Sequence, residues 1–214
     1  MPTRQTHVDG KNPGLVVAQE RVLAVPRGVL FPNGSWQGLK QTYDASVIQT
    51  ILEKKIFLSR SEAENNPSYK QIIPYLVFTY NGFIFLMQRS DKGHEKRLHS
   101  MFSLGIGGHI REEDMVGNSI VDWARREFHE EIAYTDSCTF EHIGILNDDS
   151  NDVGRVHAGW IYLLRGTSPH ISIKSEFASG RLVPFKECQG YYPRLEPWSQ
   201  VVFDYLWSQE THSW

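Results

Sequence analysis

Arg126-Glu-Phe-His-Glu-Glu-Ile-Ala-Tyr134, preceded by Gly107-Gly-His-Ile110, is the stretch on which the reading of this 214-residue chain turns. Asn118 or Ser119 stands where a helix N-cap belongs, and the helix body is expected from Ile120 to Ile132. Val121, Ala124, Phe128 and Ile132 recur three or four apart and form one apolar stripe. Glu127, Glu130 and Glu131 stand at i, i+3 and i+4, so they crowd a second face. Their charges repel one another, and they lie at the C-terminal end of the helix, where the macrodipole disfavours anions. Arg126 offsets part of this by pairing with Glu130 four residues on. A solvated charged face is one reading of the pattern. A bound divalent cation is the other, because hard cations prefer several carboxylate oxygens.

Outward from this segment the chain reads as alternating strands and helices. Upstream, Ile72–Tyr80 is β-branched and aromatic, Asn81-Gly82 suits a type I′ turn, and Phe83–Gln88 returns as a second strand. Ser90–Ser100 is a charged loop, and Met101–Ile106 is strand-like and runs into Gly107-Gly108. Nearer the start, Leu15–Val25 predicts a strand ended by Pro26, and Phe31-Pro-Asn-Gly-Ser a turn. Asp44 is placed to cap a short helix through Val47, Ile48, Ile51 and Leu52. Ser59–Ser68 reads as a polar loop. Downstream, Gly144–Asp148 and Val156–Trp160 read as strands, and the stripe Val201, Val202, Tyr205 and Leu206 as a helix face serving core or dimer interface.

Bulk properties narrow the classes. The chain is 40% hydrophobic and 22% charged, which suits a globular domain able to bury a core without staples. With 22 basic against 25 acidic residues, nothing electrostatic points to nucleic-acid or anionic-membrane partners. Cys138 and Cys188 are too few and too distant for a disulfide framework, and no CxxC pair suggests zinc. The polar N-terminal residues lack the apolar region of a signal peptide, so a reducing, cytoplasmic setting is the expectation.

The Arg126–Tyr134 stretch resembles the second half of the Nudix box, R-E-U-x-E-E-x-G-U, with U bulky and apolar. It agrees at Arg126, Glu127, Phe128, Glu130, Glu131 and Tyr134, and departs at Ala133, where the family usually has glycine. Gly107-Gly108 is similar to the glycine pair that opens the box, and the family's next acid falls on the shorter Asp114. Met115 to Arg125 then supplies eleven residues where the family has about seven, so the loop is longer. The C-terminal Glu196-Pro-Trp-Ser-Gln200 resembles the last helix of a set labelled predicted phosphoesterases, of the mutator type. The resemblance implies an α/β/α sandwich with a mixed sheet, of the α+β kind, over residues 71–214. Residues 1–70 would then be an N-terminal extension, a cap or dimer element of the same domain.

It also implies an activity: Mg²⁺- or Mn²⁺-dependent cleavage of a diphosphate in a small nucleotide-derived substrate. A diphosphate repels an attacking water, so its charge must be neutralised and the water deprotonated. By position-matching, Glu127 and Glu131 are the leading metal ligands, Glu130 a second, and a carbonyl of Gly107 or Gly108 a further one. Arg126 would orient a glutamate. The base would be Glu130 within the box or Glu176 on a later loop, and the loop Asn147–Asp152 holds three further acids. Metal binding would hold the glutamate pKa values low, so activity should fall in acid. Arg89 and Arg97 flank the charged loop and, with His157, are candidates for substrate contact. The histidines His94, His99, His109, His129 and His142 show no zinc spacing and read as surface or structural groups. Trp160, Tyr162 and Phe177 read as core aromatics. Two rivals stay open. One is a Nudix fold that binds or regulates without catalysis. The other is a diphosphate isomerase, disfavoured because Met101–His109 holds no cysteine.

Overall fold

The computed structural model describes residues 20–41, 45–90, 100–114, 119–174 and 177–209. In chain order the elements begin with β1 (Arg21–Pro26), α1 (Arg27–Leu30), β2 (Gly38–Lys40), α2 (Ala45–Lys54), β3 (Ile56–Ser59) and α3 (Arg60–Asn65). Then come β4 (Tyr69–Tyr80), β5 (Phe83–Arg89), β6 (Phe102–Ser103), β7 (Gly105–Gly107), α4 (Ile120–Glu131) and β8 (Ile132–Ala133). The chain continues with β9 (Cys138–Asn147), α5 (Asp152–Val156), β10 (His157–Gly166), β11 (Ser172–Ile173), β12 (Phe177–Pro184) and α6 (Pro197–Gln209).

Strand β4 is the axis of the fold. Every residue between its two ends is buried, as befits a strand covered on both faces. Asn81 and Gly82 both have positive φ, 46° and 79°, the type I′ geometry that turns β4 back into β5. That hairpin pairing is short: only Thr79–Ile84 and Tyr80–Phe83 face each other. Beyond it β4 parts from β5 and accepts β7, with Tyr75 opposite Gly107, and then β1, with Ala24 opposite Gln71. On its other edge β4 runs parallel to β10, from Gln71–His157 to Thr79–Arg165. The spine of the mixed sheet is β12-β5-β4-β10-β9-β2.

Two apolar cores lie on opposite faces of this sheet. One gathers Phe78, Phe85, Trp123, Ala124, Phe128 and Ile51 beneath α4 and α2. The other gathers Val77, Leu86, Leu104, Val202, Phe203 and Leu206 beneath α6. This is the α/β/α sandwich with a mixed sheet. The α6 stripe therefore serves the core: Val202 and Leu206 are buried, with Val201 and Tyr205 packed at the edge.

Several local expectations shift. Residues 59–68 are not a polar loop. Ser59 closes a strand and caps α3, its hydroxyl accepting from the Glu62 amide at 3.3 Å. A polar six-residue helix with one buried alanine, Ala63, carries too little periodicity to be read from sequence. The described part of the Leu15–Val25 strand begins at Arg21 and runs through Pro26, whose missing amide hydrogen suits a strand end. Asp44 and the start of that strand lie outside the described residues. The strands of residues 1–70 join the same sheet: β1 bridges β3 and β4, and β2 pairs with β9.

Candidate active site

Ser119 caps α4, its hydroxyl accepting from the Asp122 amide at 3.2 Å. The helix buries Ile120, Trp123, Ala124 and Phe128, a stripe one residue earlier than expected at its start, with Val121 at the margin. Burying this face fixes the roll of the helix and so the aim of its glutamates. Glu127 turns toward the glycine pair. A Cβ added to Gly108 would lie 2.0 Å from Glu127 Oε1, so only glycine lets the main chain come so close to this carboxylate. Tyr134 closes the segment by accepting from the Thr167 and Ser168 amides at 2.8 and 3.1 Å. Ala133 opens no strained turn; it lies in β8 opposite Ser172.

Arg126 sits between two acids. Its Nη1 donates to Glu130 and its Nη2 donates to Asp114 at 2.9 Å. Asp114 also accepts from Arg111 Nε. The shorter acid on the longer loop thus ties that loop to the helix. Glu130 is held on the outer side, its carboxylate 52% exposed, away from the Gly108 face. Glu131 anchors the next segment through its carbonyl, which accepts from the Lys174 amide at 2.8 Å. Its charge also raises the pKa of Arg89, though less than Glu196 does. Among the described residues, no three His, Cys, Asp or Glu side chains gather closely enough to hold an ion unaided.

A cleft of about 210 Å³ opens beside Gly107 and Gly108. Its lining includes the linked polar groups Tyr75, Arg89 and Glu196, the apolar Ile73, Pro197 and Trp198, and a polar set of Arg60, Asp148, His109 and His157. Glu196 is 4% exposed, and its carboxylate is fully engaged. Oε1 accepts from Tyr75 Oη and Ser103 Oγ, each at 2.7 Å, while Oε2 accepts from Arg89 Nε at 3.3 Å. Burial and this carboxylate together push the Tyr75 hydroxyl well above its ordinary pKa, so it stays a donor. Gly105 passes directly over the Tyr75 ring, where a Cβ would sit 2.2 Å from Cε1.

Within the polar set His109 Nε2 and His157 Nε2 are 3.2 Å apart, and His157 Nδ1 lies 2.7 Å from the Val153 carbonyl. A carbonyl only accepts, so His157 carries its proton on Nδ1, and His109 donates to the bare His157 Nε2. Burial, with His157 and Arg60 adding to it, lowers the His109 pKa to about 3, so His109 is neutral. The loop that delivers His157 is fastened from below by Lys70, which has no exposed surface. Its ammonium donates to Asp149 Oδ1 at 2.8 Å, to the Gly154 carbonyl at 2.7 Å and to the His157 carbonyl at 3.2 Å. Burial lowers the Lys70 pKa against the pull of Asp149. Burial works the other way on Asp149, but Lys70 and Arg27 outweigh it and hold that carboxyl low.

The structure thus brings Glu127, Gly108, Arg89 and His157 to one cleft and its rim. Arg126 stands behind them, and Glu130 faces outward. Arg97, Glu176, His94 and His99 lie outside the described residues. His129 is exposed, His142 packs against Trp160 and Tyr162, and both of those aromatics are core. Phe177 is buried and lies beneath the Arg89 guanidinium, 5.5 Å from its carbon. Sequence reasoning missed Glu196, Trp198 and Arg60 as cleft residues and took His109 as structural. Only the Pro197 helix start hinted that Glu196 sits at an element's end.

The sequence matches no family model. It is 33% identical to protein YmaB of Bacillus subtilis strain 168 over 202 residues, covering 87% of this chain and 97% of that protein. The crystal structure of Tm1382, a protein assigned to the Nudix hydrolases, superposes with a TM-score of 0.75 at 27% identity, over 88% of this chain and 99% of that one. The NUDIX domain of Shewanella oneidensis NrtR, solved with ADP ribose, shares the fold at a TM-score of 0.53 and 14% identity, over 66% of this chain and 88% of that one. With the glycine pair packed against the first glutamate of the Arg126–Tyr134 helix and a sandwich shared almost end to end with Tm1382, the chain belongs to the Nudix superfamily.

Proposed function

We propose that this protein hydrolyses the diphosphate linkage of a nucleoside diphosphate derivative with the help of Mg²⁺ or Mn²⁺, releasing a monophosphate product. The observation that carries this reading is the apposition of Gly108 and the Glu127 carboxylate beside a cleft whose lining includes Arg89.

The donors on offer are all oxygens, the kind a hard divalent cation takes, although among the described residues three acidic side chains do not gather by themselves. Glu127 and Glu131 would hold it, with the Gly108 carbonyl as a further oxygen, and Glu130 would join only by leaving Arg126. When bound, the ion supplies charge neutralisation and an acidified water. The chain does the rest. Arg126, clamped between Asp114 and Glu130, keeps the turn of helix bearing Glu127 in place. Arg89 offers its guanidinium to phosphate oxygens. Trp198 and Ile73 form an apolar wall that excludes water from part of the cleft. His109, kept neutral by burial, and its partner His157 present polar ring nitrogens to the part of the substrate beyond the phosphates. Glu176 is retained as the candidate base, because both its flanks touch the site: Lys174 binds the end of α4 and Phe177 lies under Arg89.

The test is a panel of nucleotide sugars, dinucleotides, ADP-ribose and nucleoside triphosphates with Mg²⁺ or Mn²⁺. Turnover of at least one, lost in Glu131→Gln, is expected; equal behaviour of wild type and variant on every substrate would sink the reading. One observation favours a second reading, a binding module without catalysis: Glu130 is engaged away from the Gly108 face. Ligand binding with no metal dependence and no turnover would identify that case.

A further inference from the structure

We infer that Glu196, at the start of the C-terminal helix, is the positioning residue that makes Arg89 a preorganised receptor for a diphosphate oxygen. The inference rests on the cleft being a diphosphate site and adds a part of the chain that the Nudix box does not reach.

Arg89 ends strand β5, where a long side chain would ordinarily sample many rotamers at considerable entropic cost on binding. Here it is restrained in three ways. Its Nε donates to Glu196 Oε2 at 3.3 Å. The flat face of its guanidinium lies over the Phe177 ring, 5.5 Å from the centroid. Its charge feels Glu131 from the box helix on the other side. Arg89 lines the cleft, and anchoring it through Nε keeps that bond separate from the two Nη groups, the pair that suits bidentate oxygen recognition. Among the described residues no side chain or carbonyl takes either of them.

Glu196 is in turn held too firmly to follow Arg89 about. Its Oε1 accepts from Tyr75 of β4 and from Ser103 of β6, and Ser199 Oγ lies 3.3 Å away. The Ser199 hydroxyl accepts from the Leu104 amide at 2.9 Å, and Ser103 Oγ is 2.6 Å from the Gly105 carbonyl. This hydroxyl collar joins α6 to the strand that runs into Gly107-Gly108. One buried carboxylate therefore sets the distance between the arginine and the glycine pair. A merely structural ion pair would need no hydroxyl collar on one oxygen and a lone arginine on the other.

An amide cannot replace it. The single oxygen of glutamine can serve the hydroxyls or Arg89 Nε, and its amino group then faces a donor. The experiment measures the affinity of methylenediphosphonate, whose P–C–P bridge resists hydrolysis, by calorimetry with Mg²⁺ present. Wild type, Arg89→Ala, Glu196→Gln and the double variant are compared, with Tm recorded for each. Arg89→Ala and Glu196→Gln are each expected to weaken binding about tenfold, and the double variant no further than Arg89→Ala alone. If Glu196→Gln does not fold, Glu196→Asp takes its place in the cycle; it keeps the charge but falls one methylene short, and about a threefold loss is expected. An effect of the Glu196 change that persists undiminished in the Arg89→Ala background would overturn the inference, as would unchanged affinity or a wild type that does not bind the probe. Probe binding without turnover of any diphosphate would instead count against the proposed activity and leave the receptor in place.

Discussion

The two walls of the cleft differ in how they are built. One wall is the α4 helix with its glycine pair. Its functional groups lie within a few turns of one another, and the burial of Phe128 and Ala124 is enough to aim them. The other wall takes Arg60 from α3, Arg89 from β5, His157 from β10 and Glu196 from just before α6. No two of these are near in sequence; Arg89, His157 and Glu196 are fixed by buried or half-buried polar contacts, while Arg60 is held at the surface by Glu20 and by Glu64 four residues on. On the proposed reading, the first wall would bear on the metal-dependent step. The second would then distinguish one substrate from another, and it is assembled by the fold as a whole.

Substitutions can break this contrast. The largest effect is expected on the first wall: Glu131→Gln should lower turnover by about 10³-fold, with the Tm little changed, because it removes a charge-stabilising group without opening a cavity. Steady-state kinetics beside thermal melts would expose a purely structural glutamate if both fell together. On the second wall Lys70→Met should cost about 3 kcal/mol in urea unfolding, because it strips a buried cation from Asp149 and from the carbonyls that carry His157. A near-wild-type midpoint would mean that the loop is held by other contacts. Gly108→Ala should lower activity about 10²-fold at nearly unchanged stability, since its Cβ would displace the Glu127 carboxylate by an ångström or more. Retained activity would show that the Gly108–Glu127 contact is not used.

The smallest effect concerns acid. Burial lowers the His142 pKa from 6.5 to about 4. The unfolded chain therefore takes up a proton near pH 6.5 that the folded chain refuses until about pH 4. Stability present above pH 6.5 should decline as pH falls through that window, and His109 should extend the decline toward pH 3. His142→Phe should flatten the pH dependence of the urea midpoint between pH 7 and pH 4, leaving the carboxylate contribution as the remainder. Equal slopes in both proteins would mean that His142 is accessible to protons when folded.

Much of the first wall was legible. The apolar stripe placed α4, Asn81-Gly82 placed the hairpin, and the spacing of Glu127, Glu130 and Glu131 marked the helix face on which the proposed function rests. Even there, spacing did not separate Glu127, turned inward to Gly108, from Glu130, turned outward to Arg126. That choice depends on where β7 runs. The helix α3 was illegible because a short polar helix that buries only Ala63 carries almost no pattern. Glu196 was illegible because nothing local marks it. Its neighbours Tyr75 and Ser103 lie 121 and 93 residues away in the chain.

The amino-acid sequence alone determined the α/β/α class, the helix that carries the glutamates and the kind of chemistry they suit. These rest on periodicity and short-range charge, which act between residues a few positions apart. Tertiary structure alone decided which glutamate meets the glycine pair, that two histidines meet beside the cleft, and that a buried carboxylate just before α6 holds Arg89. Those depend on bringing distant, individually unremarkable polar groups out of water together. A polar group becomes costly to leave unpaired only once the fold has buried it.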